Sequence, residues 1–244
     1  MKYFKKIVGV TLLLFYSSAF ALSAESVYNS SAKLFAFDNL SFKVNSTIKS
    51  KTTTKKRSFI VAKKSANKSS SLLIRFQEPK NIRCTAVLVK TESEKTTNYL
   101  YFPALKRVRV VPKKDQNSEI FGLGISYAEL NSQGGDFQEL EEVVIDKKKH
   151  YRITKLKSKM KYIYIIDAQT SVIKKIETYK KDTLQKEIFI KESITKAGNS
   201  LITKWDINDI KNDKELFYSI DKKSISTKLK PSMFHKNRLG RCTF

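Results

Sequence analysis

Only two histidines, His150 and His235, occur in this chain of 244 residues, and neither sits in a spacing such as H-E-x-x-H that would hold a catalytic metal. No G-x-S-x-G elbow is present, so hydrolase chemistry lacks its usual parts and no enzyme activity is expected. Seven glycines and four prolines are too few for a fibrous or disordered chain. Past the extreme N-terminus no long hydrophobic run occurs, which argues against an integral membrane protein. Glycines as scarce as these stand out where they cluster. Gly122-Leu123-Gly124 lacks the third glycine and the βαβ setting of a dinucleotide site and reads as a hinge instead, so no cofactor is expected.

What the chain does have begins with a leader. Lys2, Lys5 and Lys6 form a basic start, Ile7 to Tyr16 a short apolar stretch, and Ala19-Phe20-Ala21 a small-x-small cleavage site. This is the pattern of a secretory signal peptide over residues 1–21, leaving one domain over 22–244 and placing it in the periplasm. The apolar stretch falls short of the roughly 20 residues that a membrane-spanning helix needs.

Lysine and arginine number 48 against 23 acidic residues, a formal charge of +25 and a pI near 9.9, and the leader accounts for only three of those charges. Such basicity raises the question of nucleic acid. The lysines, however, are spread along outward strand positions such as Lys49, Lys51, Lys55, Lys63, Lys155, Lys157, Lys174 and Lys191, with no nucleic-acid motif among them. A solvated surface that protects sheet edges is the plain reading, with an anionic membrane surface or an acidic partner as the alternative. His150, following Lys147-Lys148-Lys149, reads as an exposed turn residue. Glu139, Glu141 and Glu142 read as a solvated strand end or a counter-charge to nearby lysines.

Apolar residues alternate through most of the chain. Leu40, Phe42, Val44 and Ile48 begin the pattern; Phe59 and Val61, then Leu72, Ile74 and Phe76, continue it. Later come Val143 and Ile145, Tyr151 and Ile153, the run Tyr162 to Ile166, Ile173 and Ile176, Ile188 and Ile190, and Leu201 to Ile207. Polar turns such as Asp167-Ala168-Gln169-Thr170 separate them. Lys63 to Ser71 reads as a long hairpin loop. Ala24 to Phe37 is the one clear helix, with Tyr28, Ala32 and Phe35 on one stripe. The expected fold is mainly β: a large antiparallel sheet that must curl.

The densest information lies between Asn98 and Leu130. Tyr99 and Tyr101 alternate with Leu100 and Phe102, Pro103-Ala104 breaks the strand, and Val108 and Val110 alternate with Arg107 and Arg109, as in a hairpin. Two glycines then interrupt an apolar loop, Ile120-Phe121-Gly122-Leu123-Gly124-Ile125. This order resembles the outer-membrane lipoprotein-sorting, LolA-like family, whose members share a "lylPalkrvrr" strand pair followed by "fmGsdfsyeDl". Upstream, Ile74 to Leu88 resembles the family's "F..P.d.rGtafL" segment. Two departures stand out: Cys84 replaces the usual glycine, and Gly124-Ile125-Ser126 replaces Ser-Asp-Phe, so no role attached to that aspartate carries over. The recognisable motifs occupy the middle third of the chain.

The resemblance implies an incomplete, half-open β-barrel with an N-terminal helix and short lid helices, enclosing an apolar cavity that accepts acyl chains. The partners it implies are lipoprotein acyl chains or another lipid, an inner-membrane transporter and an outer-membrane acceptor. On that reading Phe42, Val44, Phe76, Tyr101, Phe121, Leu123, Ile125, Tyr127, Leu130, Tyr164 and Trp205 are the candidate lining, with Gly122 and Gly124 as hinge. A sensor or transporter-associated interaction module on the same fold is the alternative. Cys84 and Cys242 suit a disulfide in an oxidising compartment. The place of Cys242 near the chain end suits a frayed free thiol equally well.

Overall fold

The computed structural model describes residues 22–34, 37–67, 69–93, 95–131, 134–157, 159–196 and 199–242, with no account of the side chains of residues 33, 34, 131 and 196. The expected leader over 1–21 and Phe35 of the expected helix lie outside them. Among the described residues one α-helix, α1 (Ala24–Leu34), precedes thirteen strands. The first six are β1 (Asn39–Ser50), β2 (Thr54–Ala66), β3 (Ser69–Glu78), β4 (Ala86–Glu92), β5 (Lys95–Phe102) and β6 (Arg107–Val110). After a long connection come β7 (Asp136–Ile145), β8 (Lys148–Lys157), β9 (Met160–Asp167), β10 (Ile173–Lys180), β11 (Thr183–Lys196), β12 (Asn199–Asp209) and β13 (Lys214–Ser226).

All thirteen form one antiparallel sheet in the order β6-β5-β4-β3-β2-β1-β13-β12-β11-β10-β9-β8-β7, curled and not closed. Neighbouring strands are consecutive in sequence everywhere except where β1 pairs with β13. The outer edges are therefore β6 and β7, which are consecutive in sequence, and the segment between them must travel from one edge to the other.

Period-two alternation divides the side chains between two faces. One row of cross-strand partners runs Ile153, Tyr164, Ile176, Ile188, Ile207, Leu216 and Ile48, across β8, β9, β10, β11, β12, β13 and β1. This is the inner face. Its main core gathers Val44, Phe59, Phe76, Val87, Leu100, Leu216 and Tyr218 around Ile120, Leu123 and Tyr127 of the edge-to-edge connection. Further along, Val27 of α1 joins Ile153, Tyr164 and Ile166, so the helix caps the β7–β9 end of the same face and also touches β12.

The outer face has its own smaller core. Ala62, Leu73, Ala86 and Leu88 are buried there by Phe234 and Leu239 from the C-terminal tail. The tail is thus a docking segment and not a further strand. Cys84 and Cys242 are bridged, with Cα atoms 5.0 Å apart, inside the usual span for a disulfide. The bridge joins residues 158 positions apart, which in the chain-entropy account stabilises by about 4–5 kcal/mol.

Two expectations are corrected. Lys63 to Ser71 is not a long loop: β2 runs on to Ala66, β3 starts at Ser69 and the two residues pair, because lysine and serine extend a solvated hairpin as well as they fill a loop. His150 is buried, at 7% exposure, with Nδ1 3.0 Å from the Lys148 carbonyl oxygen. The turn is at Asp146-Lys147, and His150 already lies in β8, paired with Val143 and Asp167.

Candidate functional site

Residues 111–131 lie across the inner face as a plug. Val111, Ile120, Leu123 and Tyr127 are buried in the main core, and Phe121, Ile125 and Leu130 pack against it. The Phe121 ring lies 5.3 Å from that of Phe76 and stacks at 6.4 Å on Phe102. Burying Tyr127 pushes its hydroxyl above the ordinary tyrosine range.

The plug is built on its own turns. Ile120 donates to the Ile125 carbonyl at 2.8 Å, Leu123 to the Ile120 carbonyl at 2.9 Å, and Ala128 to the Gln116 carbonyl at 2.8 Å. Gly122 and Gly124 take φ of +77° and +61°, the left-handed region that costs glycine nothing. Gly124 also allows close approach to the sheet: a Cβ there would stand 3.0 Å from Leu216 Cδ2. Phe121 takes φ of +46°, a strained choice for an aromatic residue, and its ring contacts hold it there.

A few polar contacts tie the plug to the sheet. The buried Tyr218 hydroxyl donates to the Leu123 carbonyl at 2.6 Å. Glu119 accepts the Gly124 amide at 2.6 Å and pairs with Lys214 at 3.2 Å. Glu129 accepts the Ser126 amide at 2.7 Å and pairs with Lys186 at 2.7 Å. Arg57 packs beside Gly122, and burial lowers its guanidinium pKa. Burial likewise drives the Tyr218 hydroxyl far above the ordinary range, so it stays a donor at any physiological pH. The anchors are the two charge pairs, the Tyr218 hydrogen bond and Asn98 of β5, whose carbonyl accepts the Val111 amide at 2.8 Å and whose side-chain amide donates to Gln116 Oε1, while most of the remaining contact is apolar.

The candidate lining divides accordingly. Val44, Phe76, Phe121, Leu123, Ile125, Tyr127 and Leu130 come together in and around the main core, with Phe42 and Trp205 half-buried at its margin. Trp205, the sole tryptophan, stacks on Tyr218 at 4.9 Å. Two residues fall elsewhere. Tyr101 points to the outer face, where it packs with Leu73, Ala86 and Leu88 and lies beside Gly240 of the tail. It alternates with Leu100, which takes the inner position. Tyr164 faces inward but lies in the separate patch under α1, its ring 4.9 Å from that of Tyr28.

Sequence reasoning missed β13, which contributes Leu216, Tyr218 and Ile220, and missed the plug anchors Arg57, Glu119, Glu129, Lys186 and Lys214. Leu216, Tyr218 and Ile220 do alternate. The intervening Phe217 hides that period by making the stretch look continuously apolar.

This architecture, an open antiparallel sheet curled around an apolar interior and capped by one helix, is the LolA-like fold. Three solved structures share it. A DUF1329 family protein from Desulfovibrio piger superposes with a TM-score of 0.80 at 15% identity, covering 88% of this chain and 97% of its own. An outer membrane lipoprotein-sorting protein domain from Vibrio parahaemolyticus gives 0.79 at 17% identity, covering 90% and 100%. A LolA superfamily protein from Nitrosomonas europaea gives 0.70 at 16%, covering 89% and 99%. The chain belongs to the family described as "-like: Uncharacterized protein", whose model matches residues 68–241. No curated protein matches the chain.

Proposed function

We propose that the chain is a periplasmic carrier that shelters acyl chains against the inner face of its sheet, with residues 111–131 as the element that gives way to them. The observation that carries this reading is the filling of the interior. A sheet row of isoleucine, leucine and tyrosine is covered by a chain segment whose contacts are mostly apolar and whose polar ties are few. An acyl chain offers the same kind of contact at about 0.8 kcal/mol per methylene removed from water, so a long chain can replace the plug without any catalytic group. Half-exposed Phe42, Val61, Leu72, Ile194, Trp205 and Ile225 at the margin give the chain an apolar approach. The fold shared with a lipoprotein-sorting domain supports the same reading, and the leader pattern at residues 1–21 supports export.

The test is to titrate the purified protein with a triacylated lipopeptide while following Trp205 emission and hydrogen exchange over residues 111–131. Saturable blue-shifted emission together with faster exchange in the plug is expected. Unchanged emission and exchange at saturating lipopeptide, with no acyl ligand in organic extracts of the protein, would falsify the proposal.

A further inference from the structure

The outer face carries a second apolar concavity that the inner-face reading does not use. It is a groove of about 430 Å³ between β1, β2, the end of β13 and the start of the tail, within the size range of small-ligand sites. Ile60 of β2 forms its floor, beside the β1 backbone from Ser41 to Lys43, opposite which β13 carries the extra residues between Asp221 and Ser226. Leu229 and Met233 of the tail form its outer wall. Ile60 alternates with the inner-facing Phe59 and shares a side of β2 with Ala62, which is buried under Phe234, so the groove opens away from the plug.

Three lysines stand around this apolar floor: Lys43, Lys228 and Lys230. None of their ammonium groups has an ion-pair partner among the described residues. The one acidic residue opposite Lys43 in the ladder is Asp221, and its carboxylate accepts the Lys223 amide at 3.1 Å. Ser224 is committed as well, accepting the Lys43 amide at 2.7 Å and donating to the Asp221 carbonyl at 2.6 Å. Among the described residues the three lysines thus form a cationic rim with no salt-bridge partner, Asp221 being the nearest acid in the ladder. Apolar floor and unpaired cationic rim together match an amphiphile of opposite charge.

The tail that forms the wall is anchored at both ends, and between them it packs less tightly against the outer core. Upstream it leaves β13 at Ser226; downstream Phe234 and Leu239 are buried and Cys242 is bridged to Cys84. Leu229 and Met233 between these anchors stay half-exposed.

We infer that this outer groove is a binding site for an anionic lipid, one acyl chain lying on Ile60, Leu229 and Met233 and the phosphate held by Lys43, Lys228 and Lys230. It is separate from the inner face and stands on its own geometry.

The experiment uses lysophosphatidylglycerol carrying a diazirine on its acyl chain, below its micelle concentration, with the phosphocholine analogue and glycerol phosphate as comparisons. Photolabelling is expected on peptides containing Ile60 and Leu229 to Met233. The zwitterionic analogue should label about a hundredfold more weakly, since each lysine near an anionic headgroup contributes about fivefold. Glycerol phosphate should not compete. The triple variant Lys43→Ala/Lys228→Ala/Lys230→Ala should erase the preference for the anionic head, and Ile60→Phe, which fills the floor, should reduce labelling by both lipids. Both variants should keep the wild-type Trp205 response to lipopeptide, which confirms an intact fold. Labelling confined to inner-face peptides, equal labelling by the two lipids, or labelling unaffected by the lysine variant overturns the inference. Displacement by glycerol phosphate also overturns it, reducing the groove to a phosphate site.

Discussion

Residue by residue, the glycine shortage has a visible answer. Among the described residues eleven non-glycine positions take positive φ, including Asn67, Ser93, Asp146, Lys147, Lys181 and Asp182 at hairpin turns. Cys84 belongs to the same set, with φ of +66° at the position where the family pattern has glycine. The substitution keeps the left-handed turn and adds a sulfur for the bridge to Cys242, so the departure from the pattern and the disulfide are one event. At Gly124 and Gly135 glycine also stands where a side chain would collide. Gly124→Ala combines a left-handed backbone with a Cβ pressed on buried Leu216, and should cost about 1–2 kcal/mol in urea unfolding and loosen hydrogen exchange across residues 116–129. Wild-type stability and exchange in that variant would mean the plug is not seated as described. At this scale the sequence was least legible where one position decides a face. Leu100 and Tyr101 are both large and apolar, and alternation shows that they part company without showing which goes inward.

Single elements were easier to read. The alternating strands from Leu40 to Ile207, the helix beginning at Ala24 and the plug with its two glycines all carry a period or a composition that water and packing impose. β13 escaped because Phe217 half-fills the polar phase of its alternation, and the hairpin between β2 and β3 escaped because its outward residues are those that loops also use. The turn after β9 shows chemistry that sequence does announce. Asp167 accepts the Thr170 amide and hydroxyl, each at 2.8 Å, and the Gln169 amide at 3.1 Å. Burial alone would raise its carboxyl pKa, but these donors and Lys174 outweigh burial and hold it below the usual range. A carboxyl depressed on folding stabilises fully above its unfolded value, about pH 3.9, and that stability fades as pH falls through the folded value. In urea titrations from pH 7 down to pH 2, the stability advantage of wild type over Asp167→Asn should be constant above about pH 5 and shrink below about pH 4. An advantage independent of pH over that range would show that the charge of Asp167 plays no part in the turn.

For the whole molecule, charge and topology matter more than any one contact. The plug anchors match lysines of the sheet with glutamates of the plug, Lys214 with Glu119 and Lys186 with Glu129, in a chain where acids are outnumbered two to one. Most lysines face water and remain available to anionic surfaces. The connectivity has a further consequence. Because the first and last strands pair at the centre of the sheet and the plug joins its two edges, the molecule consists of two half-sheets, β1–β6 and β7–β13, meeting along nine paired positions of β1 and β13. Cys84 belongs to one half and Cys242 to the other. A single proteolytic nick at exposed Asn117-Ser118 should therefore give one band on a non-reducing gel and two after reduction, while the reduced fragments still co-elute in gel filtration. Fragments that separate on reduction would show that the disulfide, and not the ladder, holds the halves together. On the described geometry the protein is a natural candidate for fragment complementation: two genes, each encoding one leaf, whose products find each other along a seam laid down by the ends of the chain and not by its middle.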